Sequence, residues 1–404
     1  MKRIFVLLLR AVLISISAVS ANENMILLDC PLGNDEVGTE PVDIEGKTDV
    51  QLNDGEKVDG DSDSNGSGDG NSNKINQVPY KATAKNIKST YGTVAKYNLK
   101  LVDRSGDVIV GKQVQFKVKN KVYKIKTDNN GFATLKLNFN AGKYTIHYSV
   151  DDLTGKNIYT VYNKVTMTIL KWGNKGDISK VKLIKKNMPN NKWVKKVVAA
   201  TKKGNPLLKF ERGEGKTVFL TVGVHGNELS SQVAGMKLIK HLTKTPIKGT
   251  VYIIPFVNIK AISHKVRHTG VDYNRVAHKS GTISNKIVKL VVKCHADAYG
   301  DFHTTQPGGL PGKNIVIGFK NPAKKSYAMT NYIAKYAKVN KRLYNYAGDQ
   351  FIGALVDNVN KKGIIGVICE VMLSHNTVTA KTVKLSCSMM DALLKFNLVY
   401  GEVI

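Results

Sequence analysis

Val218-Phe219-Leu220-Thr221-Val222-Gly223-Val224-His225-Gly226-Asn227-Glu228 is an apolar run that ends on a turn carrying an imidazole and, three residues on, a carboxylate. A run this apolar, without polar alternation, reads as a strand covered on both faces. Leu229, Val233, Met236 and Ile239 then recur at helical spacing, so the chain passes from strand through turn into helix. That unit belongs to an α/β sheet, where ligand sites gather at the carboxyl ends of strands. An imidazole and a carboxylate from one turn can hold a borderline-soft divalent ion from two sides and leave positions open for water and substrate.

The same alternation of strands and helices continues from about 178 to 404. Thr250 to Val257, Ile315 to Phe319 and Ile364 to Leu373 read as buried strands, and helices are expected at about 323–339 and 378–397. The expected architecture for this part is an α/β sandwich with a largely parallel or mixed central sheet.

From 81 to 170 the pattern is short strands and turns. Leu99-Lys100-Leu101-Val102, Val114 to Val118, Val122 to Lys126, Leu135 to Phe139 and Gly142 to Tyr148 alternate apolar with polar residues, punctuated by turns such as Asp128-Asn129-Asn130-Gly131. An antiparallel β-sandwich is expected there. The Thr127 to Leu135 and Ala141 to Ile146 phrases resemble the immunoglobulin-like repeats of invasin-type surface proteins, including those of methanogenic archaea. That resemblance implies a stalk or wall-binding module, and the chain as a whole is expected to be multidomain.

Ahead of this unit, residues 1–21 combine Lys2 and Arg3 with an apolar stretch interrupted by Arg10 and the small-residue end Ser17-Ala18-Val19-Ser20-Ala21. These features suit an export signal peptide, with an uncleaved membrane anchor as the alternative. Residues 22–80 carry fourteen acidic residues against Lys47, Lys57 and Lys74, a composition too polar to bury a core and expected to form a disordered linker. The whole chain has a formal net charge of +30, so residues 81–404 stand at +38. Outside a cell such a charge attracts acidic wall polymers or lipid head groups, and no aromatic-interleaved basic motif points to nucleic acid. Cys30, Cys294, Cys369 and Cys387 share no close spacing, which argues against a disulfide framework or a thiolate metal site.

Further chemistry-bearing residues follow the turn. His303, in Asp301-Phe302-His303-Thr304, closes another short strand and can complete a two-His, one-Glu site. Glu370 lies inside an apolar strand, where a carboxylate is costly unless paired or employed, and residues 178–404 hold only five glutamates. Arg267, Asn274 and Arg275 offer guanidinium and amide groups for a carboxylate or a developing oxyanion. His241, His264, His268, His278, His295 and His375 have no convergent partners in the sequence and read as ordinary surface or core histidines.

Taken together, residues 178–404 resemble the zinc carboxypeptidase superfamily on its succinylglutamate desuccinylase/aspartoacylase side. The family's HxxE phrase falls on His225 and Glu228, its third ligand on His303, its Asp-Leu-Asn-Arg phrase on Asp272 to Arg275, its upstream arginine on Arg267 and its late glutamate on Glu370. The resemblance implies one zinc ion held by His225, Glu228 and His303 and activating a water. It implies Glu370 as general base, Arg267 as oxyanion stabiliser, and Asn274 with Arg275 as the grip on a substrate carboxylate. The pattern departs from the family at Asn258-Ile259, where a proline is missing. Only 34 residues follow Glu370, so no room is expected for the β domain that encloses small substrates in aspartoacylases. Tyr344 and Tyr346 are candidates by position for the carboxypeptidase tyrosine. The expectation is an exported or wall-associated hydrolase acting on cell-wall peptides of pseudomurein or peptidoglycan. Alternatives are a deacylase of small N-acyl amino acids and a non-catalytic adhesin.

Overall fold

The computed structural model describes residues 79–400. The expected export segment and nearly all of the acidic segment lie outside the described residues. Strands β1 (Tyr80–Ala84), β2 (Ile87–Thr90), β3 (Ala95–Asp103), β4 (Gln113–Val118), β5 (Lys121–Lys126), β6 (Phe132–Leu137), β7 (Gly142–Val150) and β8 (Leu153–Tyr162) form two sheets, ordered β1-β3-β6 and β2-β8-β7-β4-β5. The alternation explains the layering, because Tyr97, Leu99 and Leu101 of β3 and Val114, Phe116 and Val118 of β4 all point into one core. Inside it, the Tyr97 hydroxyl donates to Asn157 Oδ1 at 2.6 Å, which satisfies both buried groups.

The second part opens with β9 (Lys164–Leu170), then α1 (Lys182–Lys186), α2 (Lys192–Ala200), β10 (Asn205–Glu211), β11 (Thr217–Val222), α3 (Leu229–Leu242), β12 (Thr250–Ile254), α4 (Ile259–His264) and α5 (Ile283–Lys293). It continues with β13 (Ala298–Thr305), β14 (Ile315–Asn321), α6 (Lys325–Ala337), β15 (Asn340–Tyr346), α7 (Leu355–Asn360), β16 (Ile365–Met372) and α8 (Ala380–Phe396). Eight strands make one mixed sheet in the order β15-β14-β16-β13-β11-β12-β10-β9. Its centre is parallel: β11 runs with β12 and β13, and β13 runs with β16. Val218, Leu220 and Val222 pack on one side with residues of α3 and α8, whereas Phe219 and Tyr299 pack on the other with residues of α5 and α7. Two-sided coverage is what the unbroken apolar runs of β11 and β13 require.

β9 falls at the end of the 81–170 stretch, yet it pairs along its full length with β10, from Asn205↔Leu170 to Glu211↔Lys164. The junction between the two parts therefore lies at Asn163, just before β9. The Asn163 amide donates to the Leu242 and Thr245 carbonyls, and its Oδ1 accepts from Ile247 N, pinning the junction to the end of α3. No described helix is long and apolar enough to cross a membrane. A fragment starting at 178 loses β9 and bares the β10 edge. In thermal unfolding, residues 178–404 should melt ~5 °C or more below residues 163–404, on the scale of a few degrees per kcal/mol for a domain this size. Equal midpoints would show that β9 adds nothing to the second part.

Candidate metal and active site

Three strand ends build the site. After β11, Gly223 takes φ +73°, and Gly226 sits so close to the Ala261–Ile262 backbone of α4 that a Cβ has no space. The Gly226 N–H donates to the Arg267 carbonyl at 2.9 Å, tying the turn to the loop after α4. These constraints hold His225 and Glu228 over the sheet, with Glu228 at the N-terminal end of α3. In the parallel pair β13 and β16, His303 lies directly beside Glu370, so the register alone places the proposed base next to a proposed ligand.

The metal-site expectation can be tested on the donor set. His225, Glu228 and His303 offer ligand atoms that all lie within 4.8 Å of one another, and all three residues are buried. Glu228 Oε1 is 2.6 Å from His225 Nδ1, and Oε2 is 2.9 Å from His303 Nδ1. Each ring's other nitrogen faces a second carboxylate: His225 Nε2 is 3.1 Å from Asp272 Oδ1, and His303 Nε2 is 2.9 Å from Asp301 Oδ2. Both rings therefore turn Nδ1 toward one point, oriented from behind as metal-binding imidazoles are. Burial favours neutral histidines, but Glu228 and Asp272 hold His225 above its ordinary pKa, and Asp301 and Glu228 hold His303 well above it. Burial likewise works against an ionised Glu228, yet His225 and His303 keep it well below the usual carboxylate range. The pocket thus favours positive charge around Glu228, which a divalent cation would supply. The buried Thr304 Oγ1 and Glu370 Oε2 have no hydrogen-bond partner, as expected beside a site built for a further ligand. The residues fit a metal ion of the two-His, one-carboxylate type.

A cavity of about 270 Å³ opens beside this triad. Its lining brings together His225, Glu228, Arg267, Asn274, Arg275 and Glu370, and His303 stands immediately behind. Burial pushes Glu370 up to about 8; His303 pulls the value down and Glu228 adds to the rise. A divalent charge in the triad would lower it further toward the range useful for proton transfer at neutral pH. Arg267 reaches Glu228 Oε1 at 3.4 Å and Asp272 Oδ2 at 3.5 Å, so it is held at the mouth by two acids. Arg275 lies over the Phe351 ring at 4.0 Å and donates to the Asn274 carbonyl at 2.9 Å. Asn274 Oδ1 accepts from Leu355 N at 2.9 Å, leaving its amide hydrogens for a ligand.

Several residues of the site escape sequence reading. His375, expected as an ordinary histidine, lines the cavity, between Asn227 Nδ2 at 3.1 Å from its Nδ1 and the Thr304 carbonyl at 3.2 Å from its Nε2. The reason is topological, since the loop after β16 returns over the triad. Tyr344 lines the cavity together with Arg342, whereas Tyr346 is 60 % exposed and is not part of the lining. Asp301 is fully buried, with Oδ1 accepting from the Thr221 hydroxyl at 2.7 Å, and Thr221 in turn bonds Tyr299. The Asp-x-His spacing was the available signal, because alternate residues of one strand share a face.

Two predictions follow from this geometry. Asp301→Asn removes the charge that fixes the His303 ring and should weaken zinc binding ~10- to 100-fold in chelator competition, with circular dichroism unchanged; undiminished affinity would deny Asp301 that role. Asp357, buried in the same lining, is pushed up to about 6 from an ordinary 3.8. Between those values the folded chain holds a proton that the unfolded chain has released, so this residue's contribution falls as pH rises from about 4 through 6. Asp357→Asn should therefore raise the melting temperature at pH 7.5 and leave it nearly unchanged at pH 4, provided the metal load is the same.

No curated protein matches the chain. Similar solved structures include an aspartoacylase family protein from Mesorhizobium loti, at 20% identity and TM-score 0.41, covering 59% of this chain and 69% of that one. Another is succinylglutamate desuccinylase/aspartoacylase from Rhodobacter sphaeroides, at 22% identity and TM-score 0.40, covering 49% and 61%. A third is tripeptide-bound Cell Shape Determinant Csd4 from Helicobacter pylori, at 15% identity and TM-score 0.41, covering 48% and 55%. The chain thus spans less than two thirds of the length of the latter two. Residues 214–309, the segment that carries His225, Glu228 and His303, match the family model of the succinylglutamate desuccinylase/aspartoacylase catalytic domain.

Proposed function

We propose that this chain is an exported zinc-dependent amide hydrolase of carboxypeptidase type acting on cell-wall peptides. The observation that carries the hydrolase reading is the convergence of two acid-backed imidazoles and Glu228 on one point, with Glu370 beside His303 in register. His225, Glu228 and His303 would hold the ion, which when bound supplies Lewis acidity toward a carbonyl and a water acidified toward neutral pH. Glu370 takes a proton from the attacking water and passes it to the leaving nitrogen, so that a neutral amine departs. Arg267, at the mouth of the cavity, faces the oxygen that becomes anionic as the carbonyl turns tetrahedral. Arg275, stiffened against Phe351, and the Asn274 amide hold a substrate carboxylate. Burial of the triad excludes bulk water from the ligands and strengthens these charge interactions.

The wall assignment rests on the export-type N-terminal composition, on the net +38 of residues 81–404, and on a two-sheet module that we read as an immunoglobulin-like stalk. The family match to a desuccinylase/aspartoacylase domain favours one second reading, hydrolysis of small N-acyl amino acids. Both readings are separated by incubating the zinc-loaded chain with pseudomurein or peptidoglycan peptides and with N-acyl amino acids, following released amines by mass spectrometry. Release from wall peptides, reduced ~10²- to 10⁴-fold in Glu370→Gln at equal zinc content, is the expected result. Cleavage confined to the acyl amino acids would transfer the assignment to the second reading, and inertness of the zinc-loaded chain on both classes would leave a binding protein.

A further inference from the structure

Eleven lysines and a single acid, Asp177, fall between residues 171 and 203, with no arginine. The structure turns much of this charge to one face. α1 and α2 pack against α3 through Ile184 and the valines of α2, while Lys182, Lys185 and Lys186 of α1 and Lys192, Lys195 and Lys196 of α2 are exposed. Asp177 is taken by Lys202 at 3.2 Å, and among the described residues none of these six lysines makes an ion pair. Lys192 and Lys195 stand in the first turn of α2, where the helix dipole is already positive. Lys182 with Lys186, and Lys192 with Lys196, set like charges one turn apart. Both placements work against the helices, and an anion laid across the face would relieve both.

The make-up of the face narrows the class of anion. No exposed large hydrophobic residue lies between 159 and 265, so a lipid surface would find nothing to insert. Trp193 of α2 is half-buried and covered by Lys196 Nζ at 4.9 Å, which leaves no bare ring for a nucleic-acid base. Lysines without arginine supply mobile point charges rather than the forks that grip phosphate, and they suit carboxylates repeated along a flexible polymer. The face also leads toward the cavity. The turn Ile178–Lys180 packs on α1, α2 and α4, and Asn174 Oδ1 accepts from Lys260 N at 3.1 Å. The exposed Lys260 and Lys265 then carry the charge along α4 to Arg267 at the mouth.

We propose that the α1–α2 face is a binding surface for a linear, carboxylate-bearing glycan, which holds the chain on an acidic polymer beside the mouth of the cavity. The binding needs no turnover, so it stands or falls apart from the hydrolase reading. Calorimetry at about 0.15 M salt offers the full chain polygalacturonate as the probe and dextran as the uncharged control. One variant changes Lys182, Lys186, Lys192 and Lys196 to Gln. A second removes the same net charge from the sandwich, by Lys88, Lys96, Lys117 and Lys136 to Gln, all exposed. Circular dichroism and melting temperature confirm that both fold. The unmodified chain should bind polygalacturonate and not dextran, and the α1–α2 variant should bind ~10-fold or more weakly, with a shallower salt dependence. The sandwich variant should stay within ~2- to 3-fold of the unmodified chain, because charges farther away than a Debye length are screened. Equal loss in both variants, or no binding of polygalacturonate, overturns the proposal. Preference for phosphatidylglycerol vesicles over the polymer, lost in the α1–α2 variant, overturns it in favour of a lipid surface. Polymer binding that appears only after the acids of residues 22–78 are changed to amides overturns it in favour of the chain's own acidic segment as occupant.

Discussion

Glu228 sits almost sealed from water between the Nδ1 atoms of His225 and His303, and the rest of the site depends on that placement. A carboxylate in such a position is tolerable only when positive charge meets it. The fold sets one histidine against each Glu228 oxygen and fixes each histidine from behind with Asp272 or Asp301. Asp272 also accepts from Asn274 N and meets Arg267, so the arginine loop is anchored to the same group that orients the first ligand. Asp301 continues inward through Thr221 to Tyr299, joining the site to the core of the central sheet. The turn, the arginine loop and β13 therefore cannot shift independently.

The parallel centre of the sheet makes this arrangement economical. β11, β13 and β16 end at one edge, so His225, Glu228, His303 and Glu370 meet without long loops. The far wall is built by β14, β15 and α7, which bring Phe319, Arg342, Tyr344 and Asp357 to the cavity.

How much of this is legible in the sequence depends on the range of the interaction that places each residue. His225 and Glu228 are legible because they stand three positions apart in one turn, and β12, β14 and β16 because strands buried on both faces are largely apolar. Glu370 stands out as a charge in such a strand. β15, Asn340 to Tyr346, is an exposed edge strand whose polar residues carry no burial signal. β9 alternates like its sandwich predecessors and gives no hint that it pairs with β10 in a different sheet. His375 and Asp357 reach the cavity through loop return and helix placement, and tertiary contacts of that kind leave no local pattern.

The central claim is that His225, Glu228 and His303 hold one divalent ion. Zinc K-edge X-ray absorption on the zinc-loaded chain tests it directly, by the identity of the scatterers around the metal. The account predicts one zinc per chain with two imidazoles at ~2.0–2.1 Å, oxygen completing the shell and no sulfur, and the imidazole contribution falling by half in His303→Ala. A sulfur shell near ~2.3 Å, or an unchanged imidazole count in that variant, would place the ion elsewhere and contradict the account.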